Sequence, residues 1–312
     1  MKSNLAPVLI PTLNRYEHLK SCIDSLGKCS MAKETDVFIA LDYPSHKKYY
    51  TGYKKVVDYL TKDNISFFKS ITIFKREENY GAVKNTQKAR ELIFNKYDKL
   101  IVSEDDNVFA CDFLEFINKG LVAYKGRKDI LTIIGYQYPV DVKTPSSVYL
   151  YNGFSAWGYG TWKDKWEEKG ITDLKELKIF LSDKKKLKKI KKPRLLKALK
   201  RIVNTGIVTG DTYLCYYQIK NKMYSVYPTI TKVKNTGHDG SGIHGGNNKK
   251  VRDVYLNQEM SLGKKDINFP KDIKPDFKII KKLDKYLNPS YFRVAIQNPK
   301  LFFNLLKNKL KG

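Results

Sequence analysis

Residues 100–107 read LIVSEDDN. An apolar run, Leu100-Ile101-Val102, leads into three consecutive acids, Glu104, Asp105 and Asp106, in a chain whose formal net charge is +27. Adjacent carboxylates repel one another and are costly to hold unless something positive sits among them. A short apolar run that stops at an acidic turn reads as a buried strand with chemistry at its carboxyl end.

On either side of this stretch, apolar runs alternate with helical patterns. Upstream, "APVLIPTL" reads as a buried strand, and "RYEHLKSCIDSL" places Tyr16, Leu19, Ile23 and Leu26 at helical spacing. "DVFIALD" is a second strand that ends at Asp42, followed by a Lys/Tyr-rich helix near residues 49–60, the strand "SITIFKR" and the helix "GAVKNTQKARELIFNKY". Downstream come the helix "DFLEFINKGLVAY" and the strand "DILTIIGY". This alternation predicts an α/β fold with a mostly parallel sheet. Ligands in such sheets bind beyond the carboxyl ends of the strands. Thr12–Arg15, Asp42, Arg76–Gly81 and Glu104–Asp106 all fall at strand ends.

After Tyr136 the pattern changes. "NGFSAWGYGTWKDKW" is rich in aromatics and glycine, which suits a loop-built pocket better than a sheet. Asp183 to Arg201 hold eleven basic side chains, and Pro193 is expected to break or restart a helix there. "VTGDTYLCYYQIKNKMYSVYP" reads as a helix followed by a strand. Gly237 to Gly246 contain five glycines in ten residues, the composition of a tight or flexible loop. No internal repeat is present.

A chain of 312 residues with 42% apolar content has ample length for a real core. Lysine and arginine (59) outnumber aspartate and glutamate (32), so an anionic partner is expected, or else a Lys-rich solvated surface. Cys22, Cys29, Cys111 and Cys215 are scattered without a C-x-x-C pair, which implies neither a zinc site nor a disulfide framework. The opening residues lack the pattern of a secretory signal, and no apolar run is long enough to span a bilayer. A cytoplasmic protein is the expectation, peripheral on the inner face of the cell membrane if the basic segments bind lipid.

The chain resembles nucleotide-sugar-dependent glycosyltransferases of the GT-A fold, notably the family 2 type and the N-acetylglucosaminyltransferase I type. "VLIPTLNRYEHLKSCIDSL" is similar to that family's first strand, nucleotide loop and helix, and "EDDNVFACDFLEF" to its acidic metal motif. "WGYGTW", "GDTYL" and "TGHDGSGIHGG" resemble acceptor-side motifs in order. The fold implied is a mixed sheet flanked by helices over residues 1–250, with a nucleotide-binding half at about 1–135 and an acceptor half at about 136–250. A basic helical tail would follow at 251–312.

The same resemblance implies roles for named residues. Pro11, Thr12, Arg15 and Asp42 would hold the nucleotide, with Asn79, Gly81 and Asn85 on the uridine side. Asp106 would ligate Mn²⁺ or Mg²⁺, Asp105 would face ribose or metal, Glu104 would support both, and His244 would complete the metal shell. A hard divalent ion bridging two phosphates needs only one or two protein carboxylates. The acidic turn also reads as a cap on the following helix. Asp211 would be the base that takes the acceptor's proton, and it also suits a helix N-cap. Trp157, Tyr159 and Trp162 would stack on acceptor sugars or pack in the core. The implied donor is a UDP-sugar and the implied acceptor a glycan or lipid-linked saccharide in surface polysaccharide synthesis. Apart from the resemblance, the basic run from Lys184 to Arg201 and the tail "NPKLFFNLLKNKLKG" suit an anionic membrane surface as a further partner.

Two other readings compete. A nucleic-acid-binding protein should interleave aromatics with its basic run, and the run from Lys184 to Arg201 has none. A sugar-nucleotide pyrophosphorylase wants a glycine-rich phosphate loop after the first strand, and "IPTLNRYEH" has no glycine.

Overall fold

The computed structural model describes residues 5–62, 65–168, 173–187, 190, 192–239, 253–254, 257–263 and 267–288. The amino-terminal half runs β1 (Val8–Thr12), α1 (Tyr16–Gly27), β2 (Asp36–Leu41), α2 (Tyr50–Lys62), β3 (Ser70–Lys75), α3 (Gly81–Phe94) and β4 (Lys99–Val102). Then come β5 (Asn107–Phe109), α4 (Phe113–Ala123), β6 (Ile130–Ile134), β7 (Val148–Tyr151), β8 (Tyr159–Trp162) and α5 (Lys163–Glu168). The remainder comprises α6 (Leu174–Ser182), α7 (Lys184–Leu187), α8 (Pro193–Thr205), α9 (Gly210–Asn221), β9 (Tyr224–Pro228), β10 (Val233–Asn235) and α10 (Phe277–Leu287).

Eight strands form one mixed sheet in the order β3-β2-β1-β4-β8-β6-β9-β7. β3, β2, β1 and β4 are parallel neighbours, so their carboxyl ends share one edge. β1, β2 and β6 are almost wholly buried apolar runs, as strands covered on both faces must be. α1 turns Leu19, Cys22, Ile23 and Leu26 onto the sheet at i, i+3, i+4 and i+7.

The second half departs from the expected loop. "YGTW" forms β8, an antiparallel strand between β4 and β6 in the centre of the sheet. Its four residues alternate faces and all four are buried. Aromatic and glycine content alone does not separate such a strand from a loop, because the sheet here is covered on both sides and removes the polar half of the usual alternation.

A smaller core lies between α6, α8 and α9, built from Leu177, Phe180, Leu199, Ile202, Tyr213 and Tyr216. Pro193 opens α8 at the position where its missing N–H costs nothing, and Gly206 at φ +70° closes it. α10 packs Ile279, Ile280 and Leu283 into the main core. Lys192 fixes it there through an ion pair of 3.2 Å with Asp284, whose carboxylate also accepts the Tyr151 hydroxyl at 2.8 Å. Among the described residues no helix is long and apolar enough to cross a membrane.

Candidate active site at the sheet edge

The acidic turn follows β4 directly and is not a helix cap, because β5 comes next and Asp112 is the residue that precedes α4. β5 pairs antiparallel with β10, and that ribbon sets Asn107 opposite Asn235. The chain after Asn235 is thereby laid across the acids. Thr236 donates its N–H to the Asp106 carbonyl at 2.8 Å and its hydroxyl to the same oxygen at 3.0 Å. His18, from the first turn of α1, meets Thr236 Oγ1 and Asp239 Oδ2 at 3.0 Å each.

A positive partner for the paired carboxylates comes from the chain itself. Arg15 spans them, donating from Nη1 to Asp106 Oδ2 at 2.7 Å and from Nη2 to Asp105 Oδ1. Thr12 Oγ1 donates to Asp105 Oδ2 at 2.8 Å, and Asn235 Nδ2 donates to Asp106 Oδ1 at 2.5 Å. Burial works against the Arg15 charge, but Asp105 and Asp106 outweigh it and hold the guanidinium firmly protonated. β1, the residue preceding α1, the turn after β4, and β10 therefore each supply side chains to one cluster.

Among the described residues, Glu104 and Asp211 have no cation paired with them. Glu104 lies 3.5 Å from Asn235 Nδ2, and burial, then the charges of Asp106, Asp211 and Asp105, push it up to about 8. Asp211 sits in the first turn of α9, whose N-cap is Thr209, so it does not cap that helix. Burial raises its carboxyl to about 6. Glu104 is half-buried and Asp211 is exposed by surface area. For both, desolvation by the surrounding protein is nonetheless the largest cause of the rise. A carboxylate with a pKa near 6, apart from the ion-paired acids, can serve as a general base.

A second group adjoins this one through backbone, Asp42 N–H donating to the Thr12 carbonyl at 3.0 Å. Asp42 Oδ1 accepts from Tyr43 N at 2.9 Å and Tyr80 N at 2.8 Å, and its Oδ2 from Asn79 Nδ2 at 3.3 Å. One lone pair of Oδ2 is left for a ligand. Gly81 begins α3 at φ +73°, the left-handed region that a side chain disfavours. Pro11 lies on β1 within the same edge. Asn85 is 1% exposed, accepting from Arg76 Nε and donating to the Ala40 carbonyl at 2.8 Å each, so it positions Arg76 from inside the protein.

The aromatics divide. Trp157 packs against Tyr136 at 4.5 Å and His238 at 5.6 Å between ring centroids, beside the chain that crosses the acids. Trp162 is 2% exposed, donates to the Leu121 carbonyl at 3.1 Å and has the Lys165 ammonium 3.6 Å from its ring centre. Tyr159 is 4% exposed, with its hydroxyl accepting from Arg90 at 3.2 Å. The sugar-stacking roles expected of Tyr159 and Trp162 do not hold in this structure, since β8 is central and neither ring has a free face. His244 lies outside the described residues.

Asn235 and Gly237 are functional candidates that the sequence reading missed. Gly237 matters because it has no side chain: a Cβ there would stand 2.0 Å from Asp106 Oδ2. Its N–H donates to Asn235 Oδ1 at 3.0 Å, so it cannot swing away without breaking the Asn235 contact. Gly237→Ala should lower stability by about 1–3 kcal/mol in a urea melt and weaken nucleoside-diphosphate binding. An unchanged melt would show that the chain does not lie on Asp106 as described.

Glu104 and Asp106 are oxygen donors of the kind a hard divalent cation takes, though among the described residues no group of three or more His, Cys, Asp or Glu side chains is gathered to hold one. Glu104 Oε2 and Asp106 Oδ1 both lie against the Asn235 amide nitrogen, at 3.5 and 2.5 Å. Asp105 and Asp106 alike have both oxygens engaged by protein, so a cation at Asp106 would have to share or displace the Arg15 or Asn235 contact.

No family model matches the chain, and no curated protein matches it. Two solved structures of TarS from S. aureus are loosely similar to it. One aligns with a TM-score of 0.39 and 14% identity over 72% of this chain and 37% of that one. The other, TarS 1-349, gives 0.38 and 14% over 95% of this chain and 76% of that one. This chain thus spans well under half of the first structure, and likenesses this loose leave the site to be judged by its own residues.

Proposed function

We propose that the protein is a glycosyltransferase of GT-A type that moves a sugar from a nucleoside-diphosphate sugar, a UDP-sugar in the family-weighted reading, to a hydroxyl of a glycan or lipid-linked saccharide. Surface polysaccharide synthesis is the process in which such an acceptor is made. The observation that carries the reading is the division of labour among four acids at one sheet edge. Asp105 and Asp106 are tied to Arg15, while Asp211 stands apart with its carboxyl near 6.

Asp211 takes the proton of the acceptor hydroxyl as that oxygen forms its bond to the anomeric carbon. The bond from that carbon to the diphosphate oxygen breaks at the same time, so the configuration inverts and the diphosphate leaves with the electron pair. Arg15, at the amino end of α1, is placed to meet the departing anion, exchanging a carboxylate for a phosphate oxygen. Glu104 and Asp106 would hold Mn²⁺ or Mg²⁺, which supplies charge neutralisation of the diphosphate when bound. Asp42 and Asn79 would hold the base side, and Trp157 the acceptor side.

The test is donor turnover by the full chain. A panel of nucleotide sugars is offered with Mn²⁺ or Mg²⁺, and nucleoside diphosphate release is followed with and without EDTA. Slow hydrolysis of one donor, abolished by EDTA, is expected. If no nucleoside diphosphate binds in a metal-dependent way, the reading is wrong.

A further inference from the structure

α8 and α10 are strongly amphipathic, and their polar faces are almost purely basic. α8, "PRLLKALKRIVNT", contains no acid. Arg194, Lys197, Lys200 and Arg201 fall within one stripe at helical spacing and are exposed, opposite the buried Leu199 and Ile202. α10 repeats the design, with Lys278, Lys281, Lys282 and Lys285 exposed on one stripe and Ile279, Ile280 and Leu283 buried on the other. Its one acid, Asp284, is taken by Lys192. The helices adjoin, because Arg194 N–H donates to the side chain of Asn288, the residue that ends α10, at 3.3 Å.

Charge of one sign is normally diluted by neighbouring acids, as it is elsewhere in this chain. Lys20 pairs with Asp24, Lys88 with Glu91 and Lys119 with Glu115, all within single helices. α8 and α10 lack that dilution. Large apolar side chains also project beside the stripes: Phe277 begins α10 at 74% exposure, and Ile207 follows α8 at 65%. Cations flanked by exposed aliphatic and aromatic groups match an anionic lipid surface, where headgroups meet the cations and the apolar groups enter the acyl boundary. Single-stranded nucleic acid would need successive stacking rings, which α8 lacks altogether.

We infer that the α8–α10 face docks the protein on an anionic bilayer. This holds whether or not the transferase reading does. If both hold, docking also sets the acceptor side toward the membrane, since Ile207 lies a few residues before Asp211 in the loop that enters α9.

The experiment is co-sedimentation of the full chain with vesicles of phosphatidylcholine alone or mixed with phosphatidylglycerol. Binding only to the mixed vesicles, weakened by salt, is expected. The quadruple variant Lys197→Glu, Arg201→Glu, Lys281→Glu, Lys285→Glu should lower partitioning by more than about tenfold with an unchanged circular dichroism spectrum and melt. Phe277→Ser, at an exposed position, should remove the salt-resistant fraction without touching charge. Equal binding to both vesicle types would overturn the inference. So would wild-type partitioning by the quadruple variant, which would move the contact elsewhere in the chain, or tighter binding to an oligonucleotide at the same ionic strength, which would assign the face to nucleic acid. Donor turnover without lipid is read in parallel, so that loss of docking and loss of the active site are told apart.

Discussion

Asp106→Ala abolishes donor turnover, with an expected loss of about a thousandfold or more, while nucleoside-diphosphate affinity in the presence of Mn²⁺ or Mg²⁺ collapses with it. The residue is 7% exposed and both its carboxylate oxygens are in use, Oδ2 by Arg15 and Oδ1 by Asn235. Its removal frees a guanidinium, unties the β5–β10 ribbon at the amide of Asn235, and deletes the oxygen proposed to share a cation with Glu104. Destabilisation of about 1–3 kcal/mol is expected from the two lost charge-assisted contacts, so turnover must be measured on protein whose melt shows it to be folded. Asp106→Asn keeps the shape and one acceptor oxygen, and it separates charge from scaffold. If the asparagine variant turns over donor as the wild type does, the charge at this position is not catalytic.

Asp211→Asn produces a different pattern. Transfer to acceptor falls by about 10²- to 10⁴-fold, whereas binding of donor and metal, in which the proposal gives Asp211 no part, stays near the wild-type level. The pH dependence supplies the sharper evidence. A general base acts only when ionised, so wild-type kcat/KM should be lost as pH falls through about 6, the value to which burial raises this carboxyl, and be restored above it. The variant should lack that acidic limb. Asp211 also lies in the first turn of α9, where a negative charge favours the helix. If that were its whole role, the substitution would lower the melting temperature slightly and leave the pH profile in place.

The parallel half of the fold was legible in the sequence because its strands are apolar runs separated by amphipathic helices. β1, β2, β3 and β4 and the helices between them fall where periodicity puts them. The acidic turn and Thr12–Arg15 share an edge because β1 and β4 are parallel neighbours. β5 and β10 escaped because three residues are too few to show a period, and with them went Asn235 and Gly237. Tyr159 and Trp162 misled because an aromatic on a doubly covered strand and one in a sugar pocket look alike in sequence. The cation beside Asp105 and Asp106 also escaped, since nothing local links Arg15 to residues about ninety positions away.

That separation has a bearing on how the protein comes into being. Thr12 and Asp105 are 93 positions apart, Arg15 and Asp106 are 91, and Asp106 and Asn235 are 129. Loops of that size must close before any of these contacts forms, which places the cluster among the slow, late events of folding. During synthesis Asp106 lacks its Asn235 partner until β10 has left the ribosome. A donor or metal ion that binds the finished cluster gains nothing from the intermediates that lack it. Such a ligand holds the native state and slows its unfolding, leaving the rate of folding as it was.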